Sequence, residues 1–513
     1  MSNDMKRNDF DDDERAYRQA AEARRQRRLK KRRHERNMRI LFIAILVVII
    51  AAAAAAAVFL TRGHSGSRGG STQDAPVQET APAEDSVQII TEAPAQTEPA
   101  TEAPEPVTEV QTESQSDVLA QAETMALGYD YEGAIALLQS VPGYESDSSI
   151  TQAIAQYQAD LDSCVPVDPL TVPHIFYRSL INDTDSAFNV SVLGESAVDG
   201  MNAWMTTVEE FDKITQQMYD NGYVFVRLRD LVVETTDENG NVHFEPNNNL
   251  LLPPDKKAVV LSVDDLSYYH SYEAASYPDK LVLDENGKVK CHYVKPDGTE
   301  EIGDFDVVPY KGARGMIALT GYNGVFGYRT DTDYRDKLNL MSDQAQWLEE
   351  HPEFSWEEDV EQAKIIAQAL KDEGWEFASH TWGHLSVTNK TADELRIDNE
   401  KWVNTVENIV GPVDTIIFAH GNDIGDWTGY SADNEKYQYF KSAGYHFYCN
   451  VDSSTPYWVQ ITGDHVRQGR IDLDGYQLYQ ASQGLTTVLD GMFTASEVFD
   501  TRRPTPVVAN GEA

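Results

Sequence analysis

Hydrophobic and polar positions divide this 513-residue chain into three regimes. Ile40 to Leu60 is an unbroken apolar run of 21 residues with no charged side chain. From Thr61 to Gln115 the pattern dissolves into Ser, Thr, Gln, Glu, Ala and Pro, with no aromatic residue. Beyond Ser116 the apolar residues become periodic. Val118, Leu119, Ala122, Met125 and Ala126 keep helical spacing, as do Ala134 to Leu138, on either side of the turn Gly128-Tyr129-Asp130-Tyr131. Ile150 to Leu161 predicts a third helix, so residues 116–164 read as a small helical hairpin region.

From residue 165 onward, short apolar runs alternate with amphipathic stretches, an α/β pattern. Val172 to Leu180 predicts a first strand. A helix begins at Met205 to Phe211, capped by Thr206 or Thr207, with Phe211, Ile214, Met218 and Tyr219 as its apolar stripe. Strands follow at Gly222 to Val226, Ala258 to Val263, Gly315 to Thr320, Trp375 to Ala378 and Thr415 to Ala419. Long helices are expected over Ser355 to Gly374 and Ala392 to Val410. Glu238-Asn239-Gly240-Asn241 signals a hairpin. Between Tyr277 and Tyr310 lies an insertion with turns at Asn286-Gly287 and Lys295-Pro296-Asp297-Gly298-Thr299.

Two of the strand ends carry chemistry. After Trp375 to Ala378 come His380 and His384, whose i, i+4 spacing puts both imidazoles on one side of a helical turn, within reach of one cation. Such a pair arises easily by chance and needs a third ligand from elsewhere. The run Ala258 to Val263, buried on both faces by its composition, ends in Asp264-Asp265. Two adjacent carboxylates at the end of a buried strand are costly unless a cation or a reaction needs them. One Asp with two His leaves an open position on a divalent metal, and the other Asp is then free to act as a general base.

Val263-Asp264-Asp265 followed by His380-Thr381-Trp382-Gly383-His384 resembles the first two motifs of the polysaccharide deacetylases, the NodB-homology domain of carbohydrate esterase family 4. Val172-Pro173-His174-Ile175-Phe176-Tyr177-Arg178 is similar to that family's first strand, with Arg178 where His often stands. The resemblance implies a distorted (β/α) barrel over residues 165–513. It implies a divalent metal, zinc the first choice, on Asp265, His380 and His384, with Asp264 as the catalytic base. It also implies a carbohydrate deacetylase that removes N-acetyl groups from an envelope glycan such as peptidoglycan or an exopolysaccharide.

The sequence departs from that family at several places. After the strand Thr415 to Ala419 the family carries a Tyr/Phe-Pro-Tyr/Phe-Gly segment, whereas here Ala419 and His420 stand in its place. Leu266 replaces the usual Gly after the Asp pair, and the late Leu-x-His motif that supplies the general acid is not visible. His420, at a strand end, is the candidate general acid, with His446 and His465 as substitutes. Asp423 and Arg470 are candidates for binding substrate, and Arg470 also for the family's base-orienting arginine. These departures keep two alternatives open: a degenerate barrel that binds glycan without turnover, and a metal-dependent O-acetyl esterase.

Charge completes the picture. The net charge of −42 is uneven. Residues 1–39 are basic, with 14 Lys and Arg against 8 Asp and Glu, and no Lys or Arg occurs between Gly69 and Tyr177. A basic block ahead of about 20 apolar residues predicts a transmembrane helix at 40–60, with residues 1–39 as a cytoplasmic tail and the rest outside. A cleaved signal peptide is the alternative, but an h-region is usually only about 7–15 residues long. Residues 61–115 predict a disordered, Pro-stiffened linker. An acidic exterior argues against nucleic-acid binding, which needs clustered Lys and Arg, and leaves as partners an acetylated glycan and the cell membrane. Three Cys, at 164, 291 and 449, allow one disulfide at most.

Overall fold

The computed structural model describes residues 115–270, 275, 277–294, 299–304, 312–425 and 428–509. The cytoplasmic tail, the transmembrane helix and all but the last residue of the linker expected from the sequence lie outside these residues, as does the turn expected at 295–299 except for its last residue. Among the described residues no helix is long and apolar enough to cross a membrane. All of them fall within one unit, Thr112–Ala513.

The chain enters through three helices, α1 (Gln115–Leu127), α2 (Tyr131–Gln139) and α3 (Ser148–Ser163). Asp130 caps α2 by accepting from the Gly133 N–H, and Asp147 caps α3 by accepting from Ser149 and Ile150. Ala122, Ala134, Leu138 and Ile150 form the small core of this hairpin region.

Seven strands then close a parallel barrel: β1 (His174–Tyr177), β2 (Lys257–Asp264), β3 (Gly315–Leu319), β4 (Trp375–Ser379), β5 (Thr415–Ile417), β6 (Phe447–Val451) and β7 (His465–Asp472). Each pairs with the next, and β7 returns to β1 through Ile471↔Ile175. Closure leaves no exposed edge on the ring. The barrel is distorted at β2. Its lower half pairs with a short strand, Tyr223–Phe225, and its upper half with β3.

Helices α4 (Val208–Asp220), α5 (Trp356–Asp372), α6 (Ala392–Trp402), α7 (Glu435–Ser442) and α8 (Gly475–Ser482) wrap the outside. Thr207 caps α4 in a capping box with Glu210. Alternation along β2 sorts the core into two layers. Ala258 and Val260 face inward with Met316, Ala318, Ala378 and Cys449, and small side chains suit so narrow an interior. Val259 and Leu261 face outward with Ile317 and Phe377, against Ile214 and Met218 of α4 and Ile366 and Leu370 of α5.

Several expectations are refined. The insertion is a three-stranded antiparallel sheet, Pro278–Leu283, Val289–Val294 and Glu300–Asp304, replacing the helix between β2 and β3. The helix expected over 392–410 breaks after Trp402 into a wider turn, Val403–Glu407. Tyr219, placed by periodicity in the buried stripe of α4, is 59% exposed. All three cysteines are free, since Cys449 faces the barrel interior while Cys291 sits in the inserted sheet.

Candidate metal centre at the barrel mouth

Strand alternation and one backbone kink set the two aspartates apart. Ser262 and Asp264 share the inward face of β2, and Asp264 is 2% exposed. Asp265 leaves the strand with φ 62°, a left-handed conformation that costs a non-glycine residue roughly 1–2 kcal/mol. The turn lifts its carboxylate out of the interior to the rim.

His380 follows β4, its backbone N–H donating to Leu319 O at 3.0 Å. Its Nδ1 lies 2.8 Å from Ile417 O. A carbonyl can only accept, so Nδ1 carries a proton, and when the ring is neutral it is the Nε2 lone pair that faces the site. Residues 381–384 are not the helical turn that the spacing suggested. Thr381 (φ 61°) and His384 (φ 49°) are both left-handed, and the loop doubles back. Asp398 of α6 accepts from the N–H groups of Trp382 and Gly383 at 2.7 and 2.9 Å. Trp382 O accepts from Gly321 and Tyr322 at 3.0 Å. So clamped, the loop brings the His384 ring to 5.0 Å from that of His380.

The ligand atoms of Asp265, His380 and His384 all lie within 4.8 Å of one another. His384 Nε2 is 3.7 Å from Asp265 Oδ2. Tetrahedral ligands about 2.1 Å from a shared ion stand roughly 3.4 Å apart, so small side-chain movements suffice to converge on one cation. Two imidazoles and one carboxylate suit zinc or a similar divalent ion. His380, with its proton fixed on Nδ1, is already in the tautomer a metal requires. The Tyr269 hydroxyl donates to Asp265 Oδ1 at 3.4 Å, and its ring stacks on Tyr322 at 5.2 Å. Those rings form an aromatic wall beside the centre.

Behind these three groups sits Asp264. Arg470 of β7 holds it through two parallel hydrogen bonds, 2.8 Å to Oδ1 and 2.9 Å to Oδ2. Burial alone pushes the Asp264 carboxyl up, but the Arg470 guanidinium, aided by His380 and Arg178, holds it below the usual carboxylate range. His380 Nε2 is 3.8 Å from Asp264 Oδ2, so Asp264 and the candidate metal ligands meet at one point. Arg470 is 1% exposed, and its terminal nitrogens are occupied by Asp264 and Ser262. It grips Asp264 from inside the barrel and presents no face to a substrate.

The remaining candidates separate. His420, left-handed at φ 59°, points Nε2 at His384 O from 3.2 Å and packs its ring 4.3 Å from that of His384. Burial of the imidazole, reinforced by the His384 charge, depresses its pKa. Asp423 does not join the cluster. It is 4% exposed and bound to Arg467 at 2.6 Å, while also accepting from the Gly425 N–H and the Tyr430 hydroxyl. Its carboxylate is consumed by that buried network. His446 and His465 stand at the N-terminal ends of β6 and β7, opposite the barrel mouth, which removes both as substitutes for His420.

Sequence reading missed the network beneath Arg470. His174 of β1 bonds Gln468 Oε1 at 3.0 Å and Ser262 Oγ at 2.9 Å, and Ser262 accepts from Arg470 at 3.1 Å. It named Arg178 but gave it no partner, whereas Arg178 pairs bidentately with Asp472 at 3.1 and 2.9 Å. The available signal was a polar residue heading the short strand β1, His174, and polar residues recurring at period two in β7, Gln468, Arg470 and Asp472.

No family model matches the sequence, and no curated protein matches it either. Among solved structures, the chain is similar to the Streptococcus pyogenes deacetylase PplD in complex with acetate, at 13% identity and a TM-score of 0.29. That overlap covers 62% of this chain and 98% of the other. So loose a superposition says nothing of activity, and the chemistry of this centre rests on its own geometry.

Proposed function

We propose that the chain is a metal-dependent deacetylase that hydrolyses N-acetyl groups on an envelope glycan. The observation that carries this reading is the meeting of a three-donor cation site with a separate, arginine-held carboxylate at the mouth of one barrel. Asp265, His380 and His384 would hold the ion, zinc being the first candidate. When bound there, such an ion supplies Lewis-acid polarisation and a water of lowered pKa.

The side chains do the rest. Asp264, kept ionised by Arg470, accepts a proton from the attacking water. Arg470 fixes the carboxylate so that it cannot rotate away or become protonated at neutral pH. The Tyr269–Tyr322 wall offers a flat apolar surface against which a sugar ring can lie. His420, packed on His384, is the candidate to protonate the departing amine, a role that requires it first to gain a proton, because burial depresses its pKa. The basic block 1–39 and the apolar run 40–60 support an anchored enzyme whose barrel works outside the membrane, with the acidic linker as its tether.

The test is acetate release by the protein from a panel of N- and O-acetylated glycans, with and without chelator. Chelator-sensitive release from N-acetylated polymer supports the reading. Release from esters alone would reassign it to an O-acetyl esterase, and glycan binding without any release would make it a degenerate binding barrel.

A further inference from the structure

At the end of the barrel opposite the metal centre lies a second concave surface. β2 runs from Lys257 to Asp264, eight residues, so the two ends of that strand are roughly 25 Å apart. Below Lys257 a cleft of about 540 Å³ opens between the helical hairpin region and the barrel. Its walls carry Tyr129, Tyr131, Tyr157, Tyr219 and Tyr223. Tyr157, Tyr129 and Tyr223 pack against the cores on either side of the cleft, but Tyr131 and Tyr219 join none of these cores. Tyr219 is 59% exposed although helical periodicity assigns it to the core of α4, and Leu127 beside it is 75% exposed. The four other rings are only half-buried. Tyr131 meets Tyr129 edge to face at 6.4 Å, which presents ring faces at two orientations.

The polar groups of the cleft narrow the ligand. Glu123 and Asp160 stand against a single cation, Lys256. That balance disfavours a polyanion and also the chain's own acidic linker. Tyrosine rings flanked by carboxylates match a polyhydroxylated ring. The apolar face of a pyranose stacks on an aromatic ring, and its hydroxyls donate to carboxylates. The Tyr131 hydroxyl is pushed up to about 12 by burial, so it stays a donor throughout the neutral range.

We propose that the tyrosine cleft between the helical hairpin region and the barrel is an accessory binding site for an uncharged hexose or N-acetylhexosamine polymer, separate from the metal centre. A polymer of this kind held at the cleft keeps the barrel close to its substrate layer and raises the local concentration of chain ends and segments at the mouth. The proposal rests on the reading of the enzyme as glycan-directed, but it uses no residue of that centre.

The experiment is co-sedimentation of the protein with insoluble chitin, and titration with soluble chitohexaose followed by tyrosine fluorescence. The double variant Tyr131→Ala/Tyr219→Ala should weaken binding at least tenfold, since each stacked ring contributes about 1 kcal/mol or more. Tyr219→Phe alone should bind within twofold of the parent. Asp265→Ala, which removes a metal ligand, should still sediment with chitin. Equal binding by the double variant overturns the proposal. Loss of binding in Asp265→Ala with full binding in the tyrosine variant moves the polymer to the barrel mouth, and also overturns it. Tyrosine-dependent binding by a protein that releases no acetate sustains the cleft while removing the deacetylase reading. A thermal melt of each variant matching the parent within a few degrees shows that the loss is local.

Discussion

Arg470 holds Asp264 through both guanidinium arms, at 2.8 and 2.9 Å, with each side chain essentially sealed from solvent. The pair spans the barrel interior from β7 to β2. Phe176 lies under the guanidinium, its ring centroid 4.0 Å from the Arg470 carbon. Removing one partner leaves the other charge buried and alone.

Arg470→Met should therefore destabilise the protein by about 3–5 kcal/mol, the usual consequence of breaking a buried ion pair from one side. Turnover should fall with it, since Asp264 loses the group that keeps it ionised. The double variant Arg470→Met/Asp264→Leu should regain most of the stability and none of the turnover. Urea unfolding and acetate release, measured on the same three proteins, check both statements. Equal stability in parent and Arg470→Met would mean that the pair is not formed in solution.

Metal binding is read independently of activity. A divalent ion at about 100 times its Kd stabilises the folded form by about 2.7 kcal/mol. Zinc should raise the melting temperature of the parent, and Asp265→Ala or His384→Ala should abolish that rise. Calorimetry should record one tight site in the parent and none in either variant. His420→Ala should keep the rise, because His420 reaches the centre only through the ring and carbonyl of His384.

The buried histidine of β1 predicts a pH dependence. Burial first and the Arg470 charge second drive the His174 imidazole from 6.5 down to about 3, against a hydrogen bond donated by its Nδ1 to Gln468 Oε1, which favours its charged form. In the folded protein it stays neutral, whereas in the unfolded chain it takes up a proton below 6.5. Its contribution is complete above that value and is lost as pH falls towards the folded pKa, by up to about 1.4 kcal/mol per pH unit. Asp331 has the opposite sign in the same window, because burial raises its folded pKa to about 7. Comparison with a His174→Gln variant cancels that term. The difference in unfolding free energy between the parent and this variant should shift by about 1 kcal/mol or more between pH ~6.5 and ~5.5. A constant difference would mean that His174 titrates in the fold as it does in the unfolded chain.

The parts of the site written in consecutive residues were legible. An apolar run ending in two carboxylates, and a histidine pair after another apolar run, are local signals, and both fall at strand ends on one rim. The path between the two histidines was not legible. Spacing of four suggested a helical turn, but Asp398 on α6 and the backbone of residues 321–322 hold those residues in a loop, and no local pattern encodes a clamp from two other elements. Arg470 was visible only as a possibility, because its partner lies 206 positions away and barrel closure sets the match. Tyr219 misled for a related reason. Periodicity marks which face of α4 is apolar, but the helical hairpin region decides that the end of that face borders a cleft. Asp423 looked functional from its place after β5, and only the fold reveals that Arg467 takes its carboxylate.

The clamp on the histidine loop gives the most discriminating variant, since it touches no reacting group. Asp398 sits on α6, which Trp402 ties to the barrel by donating from Nε1 to Leu319 O at 2.8 Å. Its two oxygens receive the N–H groups of Trp382 and Gly383, the residues that carry the chain from His380 to His384. In Asp398→Ala those N–H groups lose their acceptor, and the left-handed conformations of Thr381 and His384 lose the contacts that hold them. His380 stays in place through Leu319 O and Ile417 O, so the change falls on His384 alone. Zinc affinity should drop about 10–100-fold, as for other groups that orient a ligand without touching the metal. The core of the barrel should survive, giving a cooperative melt. Asp398→Asn keeps one carbonyl acceptor and should recover part of the affinity. Full affinity in Asp398→Ala would mean that the loop holds its shape unaided, and that the metal itself arranges His384.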